Sequence, residues 1–160
     1  MTKYNIIEKI IFPGKNPDLK EVEKYIKNNI ESYYINREYN DVIRIGSKFA
    51  SEYCGSIYTK RLRGALLKAK ANAVQIIPDL ILNATNRRWL ENKNEKHKNN
   101  ASGGWYRYEV RFSLPILDDV GDKVGENYYY ATLIVRINEE GLFLHDLINI
   151  KKEASKPFES

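Results

Sequence analysis

Three consecutive stretches in the last third of the chain alternate apolar and polar side chains. A period of two is typical of a β-strand with one buried face. The sequence therefore predicts strands over Trp105 to Leu114, Tyr128 to Asn138 and Leu142 to Ile150. Because Asn138-Glu139-Glu140-Gly141 predicts a tight hairpin, we expect neighbouring strands of this sheet to run antiparallel.

The alternation also predicts which side chains share a face of the sheet. The apolar face carries Tyr106, Tyr108, Val110, Phe112 and Leu114 of the first strand, and Tyr129, Ala131, Leu133, Val135 and Ile137 of the second. The opposite face carries three arginines, Arg107, Arg111 and Arg136. Both faces of the third strand contain apolar residues, so its orientation stays ambiguous.

Helix signals come before these strands. Asn16-Pro17-Asp18 is typical of a helix start, and the spacing from Leu19 to Ile30 predicts an amphipathic helix that ends near Tyr33. Further helices are predicted over residues 60 to 77, where Pro78 forces an end, and around residues 87 to 92. A short strand is predicted at residues 41 to 45. We therefore expect an α+β fold with N-terminal helices packed on one face of a C-terminal antiparallel sheet.

The segment from Lys48 to Lys70 contains six lysines and arginines and one acid, Glu52. Its formal charge of +5 equals that of the whole chain. On a helical wheel, the cations Lys60, Arg61, Arg63, Lys68 and Lys70 lie outside the apolar stripe. A solvated helix surface explains this pattern about as well as a phosphate-binding surface, but the arginines and tyrosines of the sheet favour the second.

The chain has two histidines, and both are candidates for proton transfer. His97 lies between Lys96 and Lys98 in a polar stretch that predicts an exposed loop, where neighbouring cations favour the neutral imidazole. His145 precedes Asp146, but regular alternation directs the two side chains to opposite faces. Asp146 follows leucines on its own face, so we expect a cation from the helix layer to pair with it.

Several classes of function are not indicated. Apolar runs are too short to cross a membrane, and we expect an intracellular, cytoplasmic protein. Cys54 is the single cysteine, and no zinc-binding spacing, phosphate-binding glycine loop, dinucleotide motif or magnesium carboxylate cluster is present, so neither a metal nor a cofactor is expected. An enzyme of this kind acting on nucleic acid would use the ribose 2′-hydroxyl as nucleophile, which implies RNA.

Three segments, GSIYTKRLRGALLKAKANAVQIIPDLI, NKNEKHKNNASGGWYRYEVRFSLPI and DLINIKKEASKPFES, resemble a domain of large phage and mobile-element proteins. That domain is assigned to the barnase, EndoU, colicin and RelE-like (BECR) nuclease superfamily. The resemblance runs from about residue 41 to residue 160 and leaves residues 1 to 40 as an N-terminal extension. It implies helices followed by a curved antiparallel sheet, and a metal-independent, toxin-like RNase with RNA and an immunity or antitoxin protein as partners.

The family motifs fall on Lys60, Arg61, His97, Trp105, Tyr106, Arg107, Arg111, Asp146, Lys151 and Lys152. At His145 the family pattern more often has tyrosine, which favours His97 as the general acid or base. Arg107 and Arg111 would then stabilise the charged transition state, and Lys60 with Arg61 would orient the backbone.

Nucleic-acid contacts are expected from Arg61, Arg63, Lys68, Lys70, Tyr106, Arg136, Lys151 and Lys152. Asp146 and His145 are expected to support them. Two alternatives remain open at this point: a nucleic-acid-binding module without chemistry, and a structural or interaction domain of a phage particle.

Overall fold

The computed structural model describes residues 4–93 and 101–158 of the chain. Its α-helices are α1 (Leu19–Asn29), α2 (Phe49–Gly55), α3 (Ile57–Arg61), α4 (Gly64–Asn72) and α5 (Ile77–Asn83), and a 3-10 helix covers Ala73–Ile76. Its β-strands are β1 (Asn5–Ile6), β2 (Tyr33–Ile35), β3 (Val42–Arg44), β4 (Thr85–Leu90), β5 (Trp105–Leu117), β6 (Lys123–Asn138) and β7 (Gly141–Pro157). The predicted mixture of helices and sheet, an α+β fold, is confirmed.

Helix α1 begins at the predicted polar start. The Asp18 carboxylate accepts a hydrogen bond from the backbone N–H of Lys20 at 3.0 Å, which satisfies one of the donors left unpaired in a first helical turn. Val22 and Ile26, one turn apart, are buried. The helix ends at Asn29 rather than near Tyr33, because the backbone turns to an extended conformation at Ile30.

The single helix predicted over residues 60 to 77 is wrong. The chain instead forms α3, α4, the 3-10 helix and α5, because Leu62 and Arg63 are extended and Gly64 has a φ of 63°, which suits glycine. Pro78 lies in the first turn of α5, where its missing N–H costs no hydrogen bond. The break changes which side chains of α4 point inward.

The helix predicted around residues 87 to 92 is also wrong, because this part of the chain forms β4. It pairs antiparallel with the start of β5, Trp89 with Tyr106 and Leu90 with Trp105. Nearly all side chains of β4 are exposed. Because neither face of this strand is buried, its sequence lacks the apolar–polar alternation that predicts a strand.

The sheet has the strand order β1-β5-β6-β7-β3-β2, and β4 also pairs with β5. The central strands β5, β6 and β7 are antiparallel, as predicted. However, β1 pairs with β5 and β3 pairs with β7 in parallel, so the sheet as a whole is mixed. The purely antiparallel sheet of the prediction is corrected on this point.

Helices and sheet share one hydrophobic core, to which α1 contributes Val22 and Ile26. Residues predicted to lie on the apolar face of β5 and β6 belong to the same core: Tyr108, Val110, Phe112, Leu114, Tyr129, Ala131, Leu133 and Val135. Since β1 also pairs with β5, residues 4–40 pack into the same core as the rest of the described chain. No helix within the described ranges has the length and apolar character that a membrane crossing requires.

The ambiguity of the third strand has a physical cause. The register of β7 against β6 shifts at three places, between Tyr128/Tyr129, between Tyr130/Thr132 and between Ile134/Val135. An additional residue at a shift changes the face on which the following side chains lie. As a result Leu144 and Leu147, three residues apart, both pair with core residues of β6, Val135 and Leu133, and both are buried.

Candidate nucleic-acid interface and active site

Directly paired residues of antiparallel strands point to the same face of a sheet. The register of β5 and β6 therefore places the side chains that alternate with the core residues on one common surface, here called the outer face. From one end to the other its pairs are Trp105–Arg136, Arg107–Ile134, Glu109–Thr132, Arg111–Tyr130 and Ser113–Tyr128. The three arginines predicted to share a face of the sheet do share it.

A carboxylate, an imidazole and a guanidinium meet at one end of the outer face. Glu52 of α2 accepts a hydrogen bond from Nη1 of Arg136 at 2.9 Å, and its Oε2 lies 3.4 Å from Nδ1 of His145. The exposed fractions of these side chains are only 19% for Glu52, 11% for Arg136 and 16% for His145. We call these three residues the His145 cluster. Because they are poorly solvated, their charges interact more strongly than at an open surface.

The ionisation of Glu52 follows from these contacts. Burial alone would raise the pKa of its carboxyl, but the contact with His145 and the charge of Arg136 outweigh burial and hold the pKa below its usual value. Glu52 is therefore a carboxylate at neutral pH, facing Nδ1 of His145. With Nδ1 facing Glu52, Nε2 is the ring nitrogen that a proton transfer to a substrate would use.

A bulge in β7 brings His145 to this position. Asp146 pairs with Ile134 and Leu144 pairs with Val135, so His145 is the additional residue between them. The regular alternation assumed from the sequence does not hold here. His145 contacts Glu52, whereas Asp146 binds Lys70, and the two neighbours have separate partners.

Aromatic side chains and an open pocket surround the His145 cluster. The ring centroid of Trp105 lies 5.0 Å from that of His145, and the Arg136 guanidinium lies 5.2 Å from the ring centroid of Phe143. A pocket of about 560 Å³ next to the cluster is lined by Gly46, Ser47, Lys48, Ser102, Arg136, Asn138, Glu139, Glu140 and Phe143. The lining holds equal numbers of cations and carboxylates, so its charge does not select an anion.

Two arginines lie directly opposite each other near the His145 cluster. Arg88 of β4 pairs in register with Arg107 of β5, two residues along β5 from Trp105. In the described part of the chain neither guanidinium forms an ion pair with a carboxylate. Like charges at opposed positions destabilise a sheet, and an anion between them removes that cost. The Arg88–Arg107 pair is therefore the best phosphate-binding candidate on the outer face.

Substitution of Arg88 tests this interpretation. Arg88→Gln is expected to raise the free energy of unfolding by about 0.2–1 kcal/mol, because it removes the repulsion across β4 and β5. The same change is expected to weaken binding of a single-stranded oligonucleotide about tenfold, since one charge-assisted hydrogen-bonding group is lost. Urea unfolding and a titration at low salt measure the two effects. Arg37→Gln, which removes an exposed cation from a turn, is the control. An Arg88→Gln protein that is less stable than the wild type and binds the oligonucleotide equally well contradicts the interpretation.

Arg111 belongs to another part of the outer face. It lies four residues from Arg107 along β5, about 14 Å at the rise of a strand. Its Nε donates to Glu153 at 3.1 Å, so its charge is partly neutralised. The sequence predicted that Arg107 and Arg111 act on the same phosphate. We therefore abandon that assignment for Arg111.

The remaining predicted contacts are dispersed. Lys60, Arg61, Arg63 and Lys152 are exposed, Lys68 is partly exposed, and Tyr106 packs against the core with the Arg87 guanidinium 4.3 Å from its ring. The hydroxyl of Tyr58 in α3 accepts a hydrogen bond from the N–H of Ile150 at 2.8 Å, which places α3 beside β7 just before Lys151. His97, the predicted general acid or base, lies outside the described residues.

Lys70 was predicted as an exposed nucleic-acid contact, and the structure corrects this by placing it in a buried ion pair. Its side chain is 1% exposed, and its Nζ lies 2.5 Å from Oδ1 of Asp146 and 2.6 Å from Oγ1 of Thr59. The expectation that a cation of the helix layer pairs with Asp146 is confirmed. The helical wheel misplaced Lys70 because the chain breaks at Gly64, before α4 begins.

Sequence reasoning missed Glu52 and Arg88. Glu52 carried one signal, since it is the single acid in a segment of six cations. Arg88 carried none, because its segment was predicted to be a helix and its partner Arg107 becomes visible only with the β4–β5 register.

Comparison with known proteins produced no match: no family model, no curated protein and no solved structure matches this chain. The resemblance to the BECR superfamily, and with it the RNA and immunity-protein partners, stays a prediction.

Proposed function

We propose that the protein is a metal-independent endoribonuclease that binds single-stranded RNA on the outer face and cleaves it at the His145 cluster. The observation that supports this most is the meeting of Glu52, Arg136 and His145 beside the Arg88–Arg107 pair. Cleavage by the 2′-hydroxyl needs an acid–base group next to cations that stabilise a phosphorane-like transition state. A BECR-like fold, in which the sheet carries most of the reacting groups and helix α2 adds Glu52, is part of the proposal.

His145 is the base in this mechanism. Its Nε2 takes the proton of the 2′-hydroxyl while the 2′ oxygen forms a bond to phosphorus and the bond to the 5′ oxygen breaks. The leaving oxygen takes a proton from water, and the imidazolium gives its proton to the hydroxide that remains. The products are a 2′,3′-cyclic phosphate and a 5′-hydroxyl. Glu52 Oε2, 3.4 Å from Nδ1, stabilises the imidazolium that forms.

The arginines have two different roles in this mechanism. Arg88 and Arg107 bind the reacting phosphate and stabilise the negative charge that develops on its oxygens. Arg136 is buried, hydrogen-bonded to Glu52 and in contact with the Phe143 ring, so it positions the carboxylate rather than contacting RNA. The predicted nucleic-acid contact of Arg136 is thereby replaced by a positioning role.

A binding module without chemistry is the second candidate. It is favoured by the ion pairs of Arg111 with Glu153 and of Arg136 with Glu52, which leave fewer cations for a transition state. In this case RNA binds the outer face with a steep salt dependence and stays intact.

Incubation of the purified protein with single-stranded RNA, and with DNA of the same sequence, in the presence of EDTA tests the proposal. We expect cleavage of RNA alone, and products that end in a 2′,3′-cyclic phosphate. Products with 5′-phosphate ends, or activity that requires added metal, contradict the mechanism. RNA that binds without being cut supports the binding module.

A further inference from the structure

Cationic and aromatic side chains lie in contact at the end of the outer face far from His145. The Arg111 guanidinium is 4.8 Å from the ring centroid of Tyr130, and Nζ of Lys156 is 5.4 Å from that of Tyr128. The edge of Tyr4 meets Tyr128, with ring centroids 4.8 Å apart and ring planes at 71°. This group has no role in the cleavage mechanism above.

Glu153 fixes the arrangement. One of its oxygens, Oε1, accepts hydrogen bonds from Nε of Arg111 at 3.1 Å and from the hydroxyl of Tyr4 at 2.8 Å. The carboxylate thereby joins β7 to β5 and to the residue before β1. A guanidinium held at Nε over a ring is restricted to few orientations, which lowers the entropy lost when a planar ligand stacks on it.

Three cations, Arg111, Lys151 and Lys156, lie near these rings, against two carboxylates, Glu153 and Glu109. Lys151 of β7 is exposed and pairs in register with Tyr130, next to Arg111. In the described residues no carboxylate forms an ion pair with Lys151. Aromatic rings interleaved with cations are the combination that binds single-stranded nucleic acids, because bases stack on the rings while cations hold the phosphates.

We propose that Arg111, Tyr130 and Lys151 form a base-stacking subsite for single-stranded RNA, several nucleotides from the bond that is cut. This inference rests on the proposed RNA substrate. Tyr130 lies six residues from Arg136 along β6, about 20 Å at the rise of a strand. A strand bound at both places therefore needs on the order of four nucleotides. A duplex does not fit the subsite, because its bases are stacked on one another and are not available to the side chains.

Binding of 2′-O-methyl oligonucleotides, which lack the nucleophile for cleavage, tests the subsite separately from catalysis. For a strand of about eight nucleotides, Tyr130→Leu is expected to raise the Kd about 5- to 150-fold. For a strand of about three nucleotides, bound at Arg88 and Arg107 alone, the Kd is expected to stay unchanged. Tyr33→Leu, which removes a tyrosine that is 54% exposed on β2, is the matched control and is expected to have no effect on either strand.

Abasic nucleotides distinguish stacking from a general effect on the fold. Moving a single abasic position along the longer strand should reveal a place where wild-type affinity falls to that of Tyr130→Leu, and where the variant loses nothing more. An equal effect of Tyr130→Leu on both lengths, or on every abasic strand, overturns the subsite. If the wild type cuts no RNA but shows this pattern, the subsite stands and the nuclease proposal fails. If the wild type cuts RNA but does not show this pattern, the nuclease proposal stands and the subsite fails.

Discussion

Replacement of Lys70 by methionine is expected to lower the free energy of unfolding by about 3–5 kcal/mol. The ammonium group is buried between the Tyr53 and Tyr58 rings, 4.6 and 5.0 Å from their centroids, and binds Asp146. Burial lowers the pKa of Lys70, although the Asp146 carboxylate opposes this. Without the lysine, Asp146 keeps only the N–H of Leu147 as a described hydrogen-bond donor, and its charge stays buried without a cation.

Urea unfolding of three variants measures this effect. Lys68→Met, on the same helix, is the control and is expected to stay within about 0.5 kcal/mol of the wild type. The double variant Lys70→Met/Asp146→Leu is expected to recover most of the loss, since both buried charges are gone. A Lys70→Met protein as stable as the wild type contradicts the assignment of a buried ion pair.

His145→Ala is expected to lower the rate of RNA cleavage by about 10²- to 10⁴-fold. The substitution removes the group that takes the proton from the 2′-hydroxyl and leaves Glu52 with its hydrogen bond from Arg136. Single-turnover cleavage with excess protein measures the chemical step. Unfolding of each variant in urea shows whether the loss of rate reflects a loss of fold.

The other histidine provides the matched control. His97→Ala removes the imidazole that the sequence and the family resemblance favour, and the chain has no third histidine. The His145 cluster predicts that His97→Ala retains most of the activity. Loss of activity in His97→Ala with a fully active His145→Ala would show that the sequence identified the base and that the cluster is structural.

The sequence predicted the centre of the sheet well, because β5 and β6 are regular where they form the core. One buried face imposed a period of two that placed Arg107, Arg111 and Arg136 together on the outer face. The same reasoning failed for β7, because three register shifts interrupt the apolar–polar alternation along this strand. The bulge at His145 is one of these shifts, so the position of the candidate base could not be read from alternation.

The site could be predicted only in part because its members come from separate elements. Glu52 lies in α2, Arg88 in β4 and His145 in β7, and no local pattern brings three such residues together. The error at Lys70 was of another kind. Lys70 was counted as a surface cation because it lies in a basic segment, although the Asp146 carboxylate was expected to need a cation as its partner. The prediction for Lys70 and the prediction for Asp146 concerned the two members of one ion pair.

The most direct test uses a DNA oligonucleotide that contains a single ribose, incubated in EDTA with the wild type and with His145→Ala. The proposal predicts that the wild type cuts the strand only on the 3′ side of the ribose and leaves a cyclic phosphate, while His145→Ala leaves the strand intact. An uncut strand with the wild type, or equal cutting by both proteins, contradicts the claim that the His145 cluster is a ribonuclease site.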